Sequence, residues 1–206
     1  MENARKISSE EALIIFARKP ELGKVKTRLA AQIGESAALS IYEKLLLHTK
    51  LVAEQCDCDT YVFLSQVSEN DFWKEFSLEL QSAGDLGEKM DAAFHHLFKL
   101  GYKRVVIIGS DCSELQPTHL TQAFAVLHER DIVIGPATDG GYYLLGMQNL
   151  HPALFYEKEW STPTVFAETI YTIESLALTY DLLPMLTDVD EQKDVPPRWR
   201  EPSWEK

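Results

Sequence analysis

The chain has 206 residues, 45% hydrophobic and 25% charged, which suits one globular domain with a sizeable core. A formal net charge of −12 speaks against a nucleic-acid backbone or an anionic membrane as the main partner, while allowing a local basic pocket for phosphates. No apolar run reaches the roughly 18 residues of a transmembrane helix, and the opening residues lack the apolar core of a signal peptide.

Residues 1–10 are polar and read as a loose N-terminus, followed by a single domain over 11–194 and a Pro- and Trp-containing tail over 195–206. Ala12–Ala17 reads as a buried first strand. It runs into a loop marked by Pro20 and Gly23, in which Arg18, Lys19, Lys24, Lys26 and Arg28 crowd together in an acidic protein. After a first strand, such a loop is either an anion cradle or a solvated basic loop. It is not a P-loop: Arg18 stands where the first glycine is needed, and Val25 follows Lys24. No G-x-G-x-x-G follows the strand either.

Ala38, Ile41, Leu45 and Val52 recur at helical spacing, predicting a long amphipathic helix over 35–55. Cys56 and Cys58 follow; with Cys112 they make an odd set without framework spacing, read as incidental thiols of a reducing, cytoplasmic compartment. Residues 60–64 read as a second strand, 70–76 as a short helix with packing aromatics, and 78–81 as a short strand. A glycine-flanked turn, Gly84–Met90, opens a helix through Leu100. Its adjacent His95 and His96 diverge by about 100° on a helix and do not share a metal.

The stretch from Tyr102 to Leu115 is the centre of the chain. Val105–Gly109 is an unbroken apolar run, the signature of a strand buried on both faces of a parallel sheet, and it stops at Ser110-Asp111-Cys112. Ligands of open α/β sheets bind outside the carboxyl ends of the strands, so Asp111 is the first candidate working residue, against a simple capping role. Cys112 has no adjacent His to make it a nucleophile.

Pro117 starts a helix to about His128, and 131–136 reads as another buried strand. Asp139-Gly140-Gly141 is a tight turn by composition, where the backbone also allows close approach of a ligand. The strand after it sends Tyr142 and Tyr143 to opposite faces. Thr162-Pro163 reads as the start of a helix to about Leu176, capped by the Thr hydroxyl, and 178–183 as a last strand. Asp188-Val189-Asp190 is either a turn or a pair of oxygen ligands for a hard divalent cation. Strands alternating with helices give a three-layer α/β/α domain with a mostly parallel central sheet.

Six ordered segments carry a resemblance: Phe16–Leu29, Gly84–Met90, Ile108–Cys112, Gly135–Leu144, Trp160–Thr162 and Leu186–Asp190. Over about residues 12–194 the chain resembles a family of small bacterial glycosyltransferases, long known as a domain of unknown function (DUF2064) and sometimes labelled arsenosugar-biosynthesis-type glycosyltransferases. The family looks like a nucleotide-diphospho-sugar transferase fold of GT-A, Rossmann-like type, with the guanylyltransferases of molybdenum-cofactor and coenzyme F420 biosynthesis among its relatives. The chain departs from the family pattern at Ser113, where Pro is usual, and at Glu191-Gln192, where Thr-Pro is usual.

The resemblance implies a nucleotide across the carboxyl edge of the early strands. Arg18, Gly23, Lys24, Lys26 and Arg28 would meet its phosphates, Lys26 and Arg28 foremost. Asp111 would hold Mg²⁺ or Mn²⁺, with Asp188 or Asp190 as second ligand and Asp190 preferred. Gly140, Gly141 and Tyr142 would shape the acceptor side, with Asp139 as acceptor ligand or base. The implied activity is transfer of a sugar from a nucleotide sugar to a small-molecule acceptor. The alternatives are a nucleotidyltransferase that releases pyrophosphate and a nucleotide-binding protein with little turnover. Base, sugar, acceptor, stereochemical outcome and oligomeric state stay open.

Overall fold

The computed structural model describes residues 9–67, 71–200 and 204. Its seven-stranded sheet has the order β3-β2-β1-β4-β6-β5-β7. The strands are β1 Glu11–Ala17, β2 Asp59–Leu64, β3 Ser77–Leu80, β4 Arg104–Ile108, β5 Ile132–Pro136, β6 Tyr142–Met147 and β7 Tyr180–Leu182. β1 pairs in parallel with β2 and β4, β2 with β3, and β5 with β7. Only β6 runs against its neighbours, β4 and β5. The mostly parallel sheet expected from the unbroken apolar runs is therefore present, with β4 at its centre.

Two apolar faces fill from alternate residues of the same strands. From β1, Leu13, Ile15 and Ala17 enter one core, with residues of α2 (Glu35–Ala53) and α4 (Pro117–Val126). Ala12 and Ile14 enter the other, with α3 (Leu86–Leu100) and α5 (Val165–Ser175). This period-2 partition is what a strand buried on both faces must do. Tyr143 lies in the first core and Tyr142 packs against the second, as their adjacency in a strand requires. No helix among the described residues is long and apolar enough to cross a membrane.

Several local expectations are corrected. Thr27–Ile33 is a helix, α1, where the sequence reads as loop through Leu29; its buried Leu29 joins Ala38, Ile41 and Leu45 of α2 in a third cluster. Asn70 lies outside the described residues, and 71–76 forms turns rather than a helix. There Trp73 is buried, and the Lys50 ammonium donates to the Phe72 carbonyl at 2.6 Å, so side-chain packing replaces helical bonding. α5 starts at Val165 instead of Thr162-Pro163, because the Thr162 hydroxyl donates back to the Glu159 carbonyl at 2.8 Å.

Cys56 and Cys58, read as incidental thiols, are joined in a disulfide. They help line a cleft of about 290 Å³ at the amino ends of β2 and β3, away from Asp111. Residues 1–8 of the expected loose N-terminus lie outside the described residues, while the Glu10 carbonyl accepts from the Lys103 and Arg104 amides. In the tail, Val195 is buried, and Trp199 and Trp204 pack against the α1–α2 cluster.

Candidate active site

β4 ends at Ile108, and the chain turns through Gly109 and Ser110 to Asp111 at the carboxyl edge of the sheet. The Asp111 side chain is 45% exposed, so its carboxylate is open to solvent. Residues 186–190 return antiparallel to this edge: Cys112 bridges Asp188, and the Val189 amide donates to the Asp111 carbonyl at 2.9 Å. The pairing brings Asp188 and Asp190 beside Asp111. The Thr187 amide adds a 2.8 Å bond to the Glu114 carboxylate.

The basic loop supplies the cations. The Lys26 ammonium, on a side chain only 5% exposed, lies 2.8 Å from Asp111 Oδ1 and 3.3 Å from Asp190 Oδ1. Arg28, two residues further on in α1, donates through one guanidinium nitrogen to Asp190 Oδ2. Burial alone would lower the Lys26 pKa, but the negative charges of Asp111, Asp190 and Asp188 more than reverse this and raise it. Asp188 goes the other way for a carboxyl group. Burial first, and then the Asp111 charge, push it up to about 7, against the pull of Lys26.

Lys26 reaches this place from an unusual backbone: it precedes α1 in the left-handed region, at φ 47° and ψ 47°. A residue with a Cβ rarely stays there without support.

Not every predicted phosphate ligand converges. The Lys24 ammonium turns to Glu21 at 2.7 Å on a side chain 73% exposed. Arg18 is exposed, and its amide donates to the Tyr42 hydroxyl at 2.9 Å. That hydroxyl donates in turn to the Arg18 carbonyl and lies 3.4 Å from Ser110 Oγ, tying the ends of β1 and β4 together. Gly23 turns the loop at φ 73°, with the Glu35 carboxylate against its open side.

In the turn between β5 and β6, Asp139 Oδ1 accepts from the Gly141 amide at 2.9 Å, and its charge still reaches Asp188. Gly140 sits at φ 92° so close to Pro163 that a Cβ would lie 2.1 Å from the Pro163 carbonyl oxygen. The Tyr142 hydroxyl is buried with no hydrogen-bond partner among the described residues, and its ring packs against the second core. Cys112 is buried, and its thiol is pushed up to about 12, which suits packing and not nucleophilic attack.

Tyr42 gave no signal in the sequence beyond its helical position. Asp188 carried one, the Asp-x-Asp pair, but which member is buried beside Asp111 depends on the bridge to Cys112.

The profile of a family described as "Uncharacterized protein conserved in bacteria (DUF2064)" matches residues 48–162. The chain belongs to that family. A crystal structure from Desulfovibrio desulfuricans G20, described as a candidate nucleotide-diphospho-sugar transferase, is 30% identical. The match covers 89% of this chain and 83% of that one at a TM-score of 0.84.

Two more distant structures share the fold. The inositol-1-phosphate CTP transferase of T. maritima is 12% identical over 91% of this chain and 92% of that one, with a TM-score of 0.58. Rv0371c of Mycobacterium tuberculosis H37Rv, in complex with manganese, is 14% identical over 89% and 94%, with a TM-score of 0.54. Comparison with curated protein sequences gives no match. The family's three-layer nucleotide-diphospho-sugar transferase fold thus houses the cluster of Asp111, Asp188, Asp190, Lys26 and Arg28.

Proposed function

We propose that the protein is a nucleotide-dependent, metal-assisted transferase that moves a glycosyl group from a nucleotide-diphosphate sugar to a small acceptor. The observation that carries this is the meeting of carboxylates from two distant segments with the buried Lys26 ammonium and Arg28, at the carboxyl edge of the sheet. Ligands of open α/β folds bind at that edge. The resemblance to the Desulfovibrio protein adds the nucleotide-sugar class.

The donor set fits Mg²⁺ or Mn²⁺. Asp111 and Asp188 offer hard oxygens; burial first and then the Asp111 charge raise the Asp188 carboxyl, and a divalent cation would relieve that repulsion. No group of three or more His, Cys, Asp or Glu placed to hold a metal occurs among the described residues. That suits an ion held by one or two carboxylates together with substrate phosphates. Asp111 and Asp188 would hold it, in preference to the Asp111–Asp190 pair expected from sequence, because Asp190 is engaged by Arg28. When bound, the ion supplies positive charge to the departing diphosphate.

The chain's own groups complete the work. Arg28 presents a planar fork to phosphate oxygens, and Lys26 a point charge. Asp139, on a turn that Gly140 lets pack against Pro163, positions an acceptor hydroxyl and takes its proton if the reaction inverts.

A second reading, nucleotidyl transfer from a nucleoside triphosphate, is favoured by fold neighbours described as CTP-dependent enzymes. Product analysis separates the two. With Mn²⁺ and a panel of nucleotide sugars, release of nucleoside diphosphate that Asp111→Asn abolishes supports glycosyl transfer. Pyrophosphate release from a triphosphate moves the assignment to nucleotidyl transfer. Tight nucleotide binding without either product leaves a binding protein.

A further inference from the structure

We infer that the Lys26 ammonium and a divalent cation compete for the same carboxylate cluster, so that Lys26 must leave Asp111 before a metal binds there. This rests on the metal-assisted reading above and adds a residue whose position is exchanged with the ion.

The geometry points to exchange rather than coexistence. Lys26 Nζ sits 2.8 Å from Asp111 Oδ1 and 3.3 Å from Asp190 Oδ1, bridging the two segments that build the site. A hard divalent ion holds a carboxylate oxygen at about 2.0–2.6 Å, and sharing that oxygen with an ammonium would press two cations together. The lysine side chain is 5% exposed, so water does little to screen such repulsion. The Asp111 side chain is 45% exposed, so an ion can reach it from solvent.

Among the described residues, Lys26 and Arg28 are the cations paired with Asp111 and Asp190. The Asp188 charge also acts on Lys26, so the ammonium sits where three carboxyl groups favour a cation.

The backbone is consistent with a poised residue. Lys26 holds a left-handed conformation, φ 47° and ψ 47°, although it carries a Cβ. Such conformations persist where surrounding contacts over-determine them, and here the ammonium's two ion pairs are the evident contacts. Displacement of the ammonium by the metal frees Lys26 to move toward an incoming diphosphate. Metal and diphosphate would then bind cooperatively, because each gives the other's displaced or unpaired charge a partner.

The test measures Mn²⁺ binding through the electron paramagnetic resonance of the free ion, in nucleotide-free protein. Lys26→Met is expected to bind Mn²⁺ alone at least about tenfold more tightly than wild type, since the competing cation is gone and the carboxylates remain. Equal or weaker binding by a folded Lys26→Met overturns the inference. The underlying metal reading is checked separately with inorganic pyrophosphate added: Asp111→Asn must bind Mn²⁺ less well than wild type. If it does not, the metal reading itself fails, and the inference falls with it.

Should Lys26→Met not fold, the wild-type protein carries the test. A buried ammonium in an ion pair exchanges slowly enough for its ¹⁵Nζ resonance to be followed. That resonance, assigned with Lys26→Arg, is expected to shift and broaden into solvent exchange as Mg²⁺ is added. Its persistence unchanged through a titration that displaces bound Mn²⁺ refutes the exchange.

Discussion

Asp188 is the residue whose charge state most directly reports the cluster, and Asp188→Asn is the perturbation of choice. In the folded protein its carboxyl is raised from 3.8 to about 7, by burial first and then by the Asp111 charge. Between these values the native state keeps a proton that the unfolded chain has released. Stability therefore falls as pH rises through this window, by at most about 1.4 kcal/mol per pH unit. The full window would give a ceiling of ~4 kcal/mol; only its upper part lies between pH 5 and pH 8, and partial exposure argues for about 2 kcal/mol there. Asp188→Asn does not titrate. It should match wild type near pH 5 and exceed it by about 2 kcal/mol at pH 8, roughly a 1 M shift in the urea midpoint. Urea unfolding followed by tryptophan fluorescence in metal-free buffer measures this directly. If both proteins keep the same difference in stability at both pH values, the argued burial and repulsion at Asp188 are wrong.

Three further outcomes follow from single side chains. Gly140→Ala forces a Cβ onto the Pro163 carbonyl at a left-handed φ and should cost about 3 kcal/mol, lowering the melting temperature by roughly 10 °C in a thermal scan. Asp139→Ala loses one bond to the Gly141 amide, so stability should drop by about 1 kcal/mol or less, while turnover falls at least ~100-fold if Asp139 is the base; kcat and chemical unfolding measured on one preparation separate these roles. Arg28 is 65% exposed, so Arg28→Ala should leave stability within about 0.5 kcal/mol yet weaken nucleotide binding about tenfold, read by calorimetric titration. Unchanged nucleotide affinity in that variant would remove Arg28 from the phosphate site.

Much of the architecture was legible because it depends on short-range pattern. The unbroken apolar run before Asp111 could only be a strand buried on both faces, and it is the central strand of the sheet. Alternation sent Tyr142 and Tyr143 to opposite faces, but it could not say that the Tyr142 ring packs against the second core. Short elements were the weak point. α1 was hidden by the cations and by Gly23 just upstream, and 71–76 looked helical through aromatics that in fact pack individually. The Cys56–Cys58 disulfide was likewise missed, because spacing does not say whether two thiols face each other.

The sequence by itself determined the alternating α/β order, the place of Asp111 at a strand end, the basic loop after β1 and the family motifs. Each is a local property of adjacent residues, set by backbone periodicity and side-chain type. Only the tertiary structure decided which charges meet. Lys26 and Asp190 lie 164 residues apart, and Lys24, two residues from Lys26, pairs elsewhere with Glu21. That choice follows from the left-handed turn at Lys26 and from the return of residues 186–190 against Asp111. Electrostatic energy depends on separation in space and on burial, and neither is fixed until the chain has closed on itself.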